Sequence, residues 1–252
     1  MSKTKPLVSV IIPCYNEAGS IAKVIKNFSK ASVAKQFFDL DIIVVDNAST
    51  DKTASIAKKT GARVIAETKQ GKGYAMRTGF RSIDPKAEYV VMIDGDDTYS
   101  PQEVYRLLEP IQSGFCDVVV GSRLGGKIHG ESMDKINRGG NWLYTHLVRL
   151  IYRQNVTDVL SGYFAWKRSA IERLAPHLSA TGFAIEMEMI TKMSRMGLEV
   201  YSVPISYYQR SGQSHLNPVT DGARILKMFA KNSVWQHKQL NEGQTTVLKG
   251  RI

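Results

Sequence analysis

The chain has 252 residues, 43% of them hydrophobic, enough to bury a full core as one large domain or two tightly joined halves. Its 34 Lys and Arg against 23 Asp and Glu give a net charge of +11, which favours anionic partners, while its two cysteines argue against a zinc cluster or a disulfide framework. The apolar run 7–12 is too short for a signal segment, and no window approaches the roughly 20 apolar residues that span a bilayer, so the chain reads as soluble or peripheral in a reducing cytosol.

Short β-branched runs alternate with helical patterns through the first half, the signature of βαβ units on a parallel sheet. Residues 7–13 (LVSVIIP) read as the first strand and 17–31 as the helix after it; 40–47 (LDIIVVDN) read as the second strand. Its helix spans 49–61, with Ser49 or Thr50 as cap and Gly61 as stop. A short strand over 62–67 precedes a helix that begins from a glycine-bearing turn at 71–82. The fourth strand is 88–94 (EYVVMID), followed by a helix at 100–114 with Pro101 near its first position; 116–123 is the fifth strand. Beyond Gly126 the pattern becomes helical at 137–155 and 183–197, with a short strand or turn plus helix at 161–176 and a strand at 199–210 containing Pro204. Such a doubly wound layout places its ligand site beyond the carboxyl ends of the strands.

Three strand ends finish in polar residues: PCYNE, DNASTD and DGDDTY. Aligned parallel strands bring them to one crevice, although Asp51 also has the spacing of a plain helix cap. A D-x-D pair, Asp94 and Asp96, suits a hard divalent cation such as Mg²⁺ or Mn²⁺, which shares oxygen ligands between carboxylates and phosphates. Gly95 between them allows close approach to the backbone. Lys69 and Lys72 flank a glycine turn able to meet an anion or to serve simply as solvated lysines; neither a Walker motif nor a G-x-G-x-x-G fingerprint is present.

Nine segments in order, VSVIIPCYNE, VVDNASTDKT, GKGYAMRTGF, VMIDGDDTYSP, VVVGSRLG, NRGGNWL, TDVLSGYFAWKR, TGFAIEMEMI and VPISYYQRSGQSHL, resemble the family 2 inverting glycosyltransferases of GT-A fold, over roughly 8–225. Within that family the chain is most similar to dolichyl- or polyprenyl-phosphate hexose synthases. The resemblance implies an α/β, mostly parallel, Rossmann-like sheet in a single domain, with 7–125 as the nucleotide-sugar half and 126–235 as the acceptor half; the end, 236–252, lacks a strong period and reads as a flexible tail. It implies that Pro13, Tyr15, Asn16 and Glu17 line the nucleotide pocket, with Asp46 and Ser49 at base and ribose and Gly71 and Lys72 at the same edge. Asp94, Gly95 and Asp96 would meet the ribose and the metal-bound diphosphate, and Arg210 would reach that diphosphate. Arg123 and Arg138 would face an acceptor phosphate, as suits the fixed donor fork of arginine.

A phosphate acceptor is already ionised and needs no strong general base, so catalysis would rest on positioning and charge stabilisation, with Asp96 central. A hydroxyl acceptor, on diacylglycerol or a glycan, would need a carboxylate; Glu188, which matches the family segment MEM, and Glu186 are the candidates, and their i, i+2 spacing points them to different faces. A nucleotidyltransferase is the alternative enzyme class, and nucleic-acid binding is disfavoured because the basic residues are spread out. Two residues depart from the family pattern: Phe164 stands where relatives have arginine, and His215 where they have lysine. The implied partners are a nucleotide-sugar donor, a lipid-phosphate acceptor and a membrane-anchored subunit, at the cytosolic face of a membrane. Residues 142–153, apolar with flanking arginines, read either as a membrane-surface segment or as a buried core helix.

Overall fold

The computed structural model describes residues 4–130, 132–210, 212 and 216–237. Strand β1 (Leu7–Cys14) sets the plan, because its side chains alternate between the two faces of a seven-stranded sheet. Val8, Val10 and Ile12 pack with α1 (Ile21–Ser29), α2 (Ser32–Phe37), α3 (Thr53–Lys59) and α5 (Val104–Gln112). Ile11 points the other way, into a second core shared with α4 (Lys72–Arg81), α6 (Lys135–Tyr152), α7 (Arg168–Leu174) and α8 (Ile185–Arg195). Two helical layers therefore enclose the sheet, each burying one apolar face.

The remaining strands are β2 (Asp39–Asp46), β3 (Arg63–Ala66), β4 (Ala87–Ile93), β5 (Val118–Ile128), β6 (Tyr163–Lys167) and β7 (Val200–Tyr207), in the order β3-β2-β1-β4-β6-β5-β7. β1, β2, β3 and β4 are mutually parallel, as the alternation of strands and helices predicts. In the segment read as a short strand or turn plus helix at 161–176, the strand is β6, inserted antiparallel between β4 and β5, and the helix is α7. Its alternation explains its place: Tyr163 and Ala165 join one core while Phe164 and Trp166 join the other, their rings stacked 5.2 Å apart. Phe164 is thus core; His215 lies outside the described residues.

Several boundaries differ from the sequence reading. The helix expected over 17–31 starts only at Ile21, because Glu17 to Ser20 form a turn. Ser49 does not cap α3; its hydroxyl accepts the Asn16 N–H, and Asp51 instead accepts the Thr53 N–H at 2.8 Å. β5 runs on to Ile128, and Pro204 sits on the edge strand β7, where a missing N–H costs least. The sequence reading lacks α9 (Pro218–Ser233), although Asn217 and Pro218 carry a start signal: the Asn217 side chain accepts from the Val219 and Thr220 N–H groups. The expected tail, apart from residues 236 and 237, lies outside the described residues.

Candidate active site

The carboxyl ends of β1, β2 and β4 meet at one crevice, and each leaves its strand through a left-handed residue: Asn16 (φ 55°), Ala48 (φ 57°) and Asp97 (φ 64°). Such conformations are costly outside glycine and persist where the surroundings over-determine them. Here cross-links do so. Asn16 Oδ1 accepts the Thr50 N–H, the Glu17 N–H donates to Thr53 Oγ1, and the Ser20 hydroxyl bridges Glu17 and the Gly95 carbonyl.

A cavity of about 420 Å³ lies between these ends. Pro13, Tyr15, Glu17, Gly71, Lys72, Asp94, Gly95, Asp96 and Arg210, all expected at the donor, line it. Asn16, Asp46 and Ser49 are not among the lining; Asn16 and Ser49 tie the two loops together, while Asp46 Oδ1 is buried without a hydrogen-bond partner among the described residues. Asn47, Gln70, Ala75 and Phe183 line the cavity without having been singled out from sequence. Asn47 fixes the turn that starts α4, because its side chain accepts the Gly71 N–H at 2.6 Å and donates to the Lys69 carbonyl at 2.7 Å. Its signal was the polar run DNASTD after β2.

Charge is arranged in two clusters. Lys72 Nζ lies 2.7 Å from Asp94 and 2.6 Å from Glu186. Burial works against its positive charge, but the two carboxylates outweigh it and raise its pKa. Glu186 is itself pushed up, by burial first, with Lys72 pulling the other way. In the second cluster Arg210 contacts Glu17 at 2.5 Å and Asp96 at 3.3 Å. It is carried there by β7, whose end is pinned by the Tyr208 N–H to the Thr98 carbonyl and by the Tyr99–Tyr207 bridge. Asp96 has a raised pKa because burial, then the Asp94 charge, disfavour its ionised form more than Arg210 favours it. Glu17 is raised by burial as well.

The structure turns Glu188 away from this cleft. It accepts from the Ser179 N–H and hydroxyl and the Ala180 N–H, and pairs with Lys192 at 2.7 Å, so it braces the loop before α8. Despite burial, those donors hold its pKa below the usual carboxylate range. The reason is helical geometry: two residues along α8 rotate a side chain to the opposite face, and it is Glu186 that meets Lys72. Arg123 is also committed elsewhere, with Nε and Nη2 on Asp158 at 2.8 and 2.9 Å and a further bond to the Leu160 carbonyl. Arg138 is exposed on α6 and lines a separate cavity of about 370 Å³ with Leu124, Lys135, Gly139 and Trp142.

Gly162 is a supporting residue that the sequence reading did not single out. As β6 enters beside the end of β4, the Gly162 carbonyl accepts the Asp94 N–H at 3.1 Å, and a Cβ at 162 would lie 2.0 Å from Asp94 Oδ2. Gly162→Ala is expected to swing the Asp94 carboxylate off Lys72 and cost at least about 10²-fold in turnover, since a displacement near 1 Å is enough. The check is steady-state kinetics beside a melting curve; wild-type kinetics would refute this role.

Asp94 and Asp96 offer a divalent cation two neighbouring carboxylates, and no group of three His, Cys, Asp or Glu side chains able to hold a metal occurs among the described residues. Two hard oxygen donors fit an ion whose other ligands come from a diphosphate, rather than a resident ion in a protein cage.

The mostly parallel sheet, with paired carboxylates and basic residues at its carboxyl edge, has the GT-A fold of its structural neighbours. The model of glycosyl transferase family 2 matches residues 9–175, and the chain belongs to that family. Glycosyltransferase AglJ of Haloferax volcanii is 34% identical over 225 residues, covering 88% of this chain and 71% of that one. A dolichyl-phosphate hexose transferase of the same organism is 30% identical over 224 residues, covering 89% and 92%. Among solved structures, glucosyl-3-phosphoglycerate synthase from Mycobacterium tuberculosis with Mn²⁺, uridine-diphosphate and glucosyl-3-phosphoglycerate is similar in fold, with a TM-score of 0.71, 22% identity, and coverage of 92% of this chain and 82% of that one.

Proposed function

We propose that this protein is an inverting hexosyltransferase that moves a hexose from a nucleotide-diphosphate sugar, of GDP-mannose or UDP-glucose type, to a lipid phosphate such as dolichyl or polyprenyl phosphate. The observation that carries this reading is the pairing of Asp94 and Asp96 with Lys72 and Arg210 around one cavity at the strand ends. The relative named a dolichyl-phosphate hexose transferase supports the acceptor class. So does the cleft itself: Glu186 is tied to Lys72 and Glu17 to Arg210, which leaves neither poised to deprotonate a hydroxyl.

Asp94 and Asp96 would hold Mg²⁺ or Mn²⁺, which when bound neutralises charge on a leaving diphosphate. The protein's own residues do the rest. Arg210, already beside Asp96, presents its guanidinium to the phosphate oxygens. Lys72 holds Asp94 in place, its positive charge favoured by the two carboxylates that raise its pKa against burial. Arg138 on α6 meets the acceptor phosphate. One phosphate oxygen of the acceptor forms a bond to the anomeric carbon as the bond from that carbon to the diphosphate breaks, with inversion, and the nucleoside diphosphate departs. The reaction takes place where a lipid phosphate is found, at the cytosolic face of a membrane, where a membrane-anchored subunit could hold the protein.

The test is incubation with labelled GDP-mannose or UDP-glucose, Mn²⁺ and polyprenyl phosphate in detergent. Release of nucleoside diphosphate together with an acid-labile lipid-linked sugar is expected. Release of inorganic diphosphate would refute the reading in favour of nucleotidyl transfer, and an acid-stable glycolipid would refute the phosphate acceptor.

A further inference from the structure

The apolar surface of this protein is concentrated on two neighbouring helices. Of the twelve exposed large apolar side chains among the described residues, five lie on α6, two on α9 and one, Val234, directly after α9. On α6 they are Ile136, Trp142, Leu143, Leu150 and Ile151, with Leu150 75% exposed and Trp142 56%. Ile136, Leu143 and Leu150 recur every seven residues along one line of the helix with Trp142 and Ile151 on its two flanks, while Asn141, Thr145, Val148 and Tyr152 occupy the buried face. α9 shows Val219 and Leu226, separated by seven residues, against a buried Ile225. The helices run side by side in the same direction, since Tyr144 donates to the Gly222 carbonyl and Tyr152 to the Phe229 carbonyl.

The charge on this surface is predominantly positive. Lys135, Arg138 and Arg149 on α6 and Arg153 just after it are all exposed, as are Arg224, Lys227 and Lys231 on α9. α6 itself contains no acidic residue, its exposed cap Asp134 being the one carboxylate beside it among the described residues, and the one on α9, Asp221, is buried and bonded to Arg224. A second copy of this chain would set seven like charges against seven. An apolar face ringed by lysine and arginine complements a surface that is apolar beneath and anionic above.

We propose that the outward faces of α6 and α9 dock on the anionic surface of a lipid bilayer, with Trp142 and Leu150 entering the headgroup boundary and the basic residues meeting the lipid phosphates. The proposal rests on the lipid-phosphate reading for its purpose and on these two helices for its geometry. Docking would bring the Arg138 cavity, at the first turns of α6, to the headgroup layer, so that an acceptor phosphate could reach it without leaving the bilayer. The helices lie on the surface and do not enter it deeply, for no helix among the described residues is long and apolar enough to cross a membrane.

The experiment is co-sedimentation of the full chain, without donor, with vesicles of phosphatidylcholine alone or with about 30% phosphatidylglycerol. Binding to the anionic vesicles only is expected, weakening as salt rises and screens the basic residues. Brominated lipid should quench tryptophan emission, and Trp142→Phe should remove most of that quenching, because Trp166 is fully buried and Trp235 is half-buried against His177 and Lys192. The combined variant Arg149→Glu, Leu150→Glu, Leu226→Glu, Lys227→Glu should lose binding by at least about 10-fold while keeping the wild-type melting temperature and turnover on polyprenyl phosphate in detergent. Equal sedimentation with neutral and anionic vesicles, wild-type binding by the combined variant, or a dimer that buries Trp142 would each overturn the proposal. If vesicle binding holds but no lipid phosphate is glycosylated in detergent, the docking surface stands and the functional reading falls; the reverse result rejects the surface alone.

Discussion

Lys72→Met is expected to lower the stability of the protein by about 3–5 kcal/mol, the cost of leaving a buried charge without its partner. Lys72 is the only cation within ion-pair distance of either Asp94 or Glu186 among the described residues, and the Glu186 side chain is only 4% exposed. Without the ammonium, two carboxylates face each other in a poorly solvated site. For a domain of this size the loss corresponds to a fall of about 10 °C in melting temperature. Adding Glu186→Gln should restore most of it, because Asp94 alone keeps contact with water through the cavity. Acidification should also rescue the single variant. The folded-state pKa of Glu186 is already raised by burial, and losing Lys72, which pulls it down, raises it further. A carboxyl whose folded pKa exceeds its unfolded value takes up protons preferentially when folded, so its destabilisation fades as pH falls toward the ordinary value of 4.5. Denaturant titrations of the three proteins at two pH values test this; a single variant within about 1 kcal/mol of wild type would contradict the buried-pair account.

Asp96→Asn is expected to lower turnover by about 10³-fold or more, since charge stabilisation at a diphosphate is worth several kcal/mol and each 1.36 kcal/mol is tenfold. The same change should raise stability by about 1 kcal/mol at neutral pH. Burial and Asp94 raise the pKa of Asp96, so without ligand the fold bears the cost of a carboxylate there. Asparagine removes that charge yet can still accept from the Thr98 N–H and hydroxyl, as Asp96 Oδ1 does, and Arg210 keeps Glu17 as its partner. The sign of the pH dependence follows: the cost is absent below the unfolded value of 3.8 and develops as pH rises through the folded value, so the advantage of the variant shrinks on acidification. Melting curves of both proteins from pH 5 to neutrality measure it. A variant that is inactive and also less stable at neutral pH would show that Asp96 serves the fold as well as the chemistry.

The local alternation of each strand was legible in the chain, and so were the acidic strand ends, because backbone periodicity and burial act on neighbouring residues. Val8 to Ile12 and Tyr89 to Ile93 declare buried strands whatever else the chain does, and parallel strands must deliver Glu17, Asp46 and Asp94 to one rim. Glu186 and Glu188 could be assigned to opposite faces of one helix, but not to a neighbour, since a helix does not state which face is turned inward.

What the amino-acid sequence by itself determined was the α/β class, the family and the set of charged residues at the carboxyl edge of the sheet. Tertiary structure alone decided that β6 runs antiparallel between β4 and β5 and so sets Gly162 against Asp94, that Glu186 and not Glu188 meets Lys72, and that Arg123 is spent on Asp158. It also decided that one face of α6 stays open beside α9. The physical reason is range. Periodicity and turn chemistry are fixed by residues a few positions apart, whereas the partner of a buried charge comes from a distant segment and is set by which elements pack side by side.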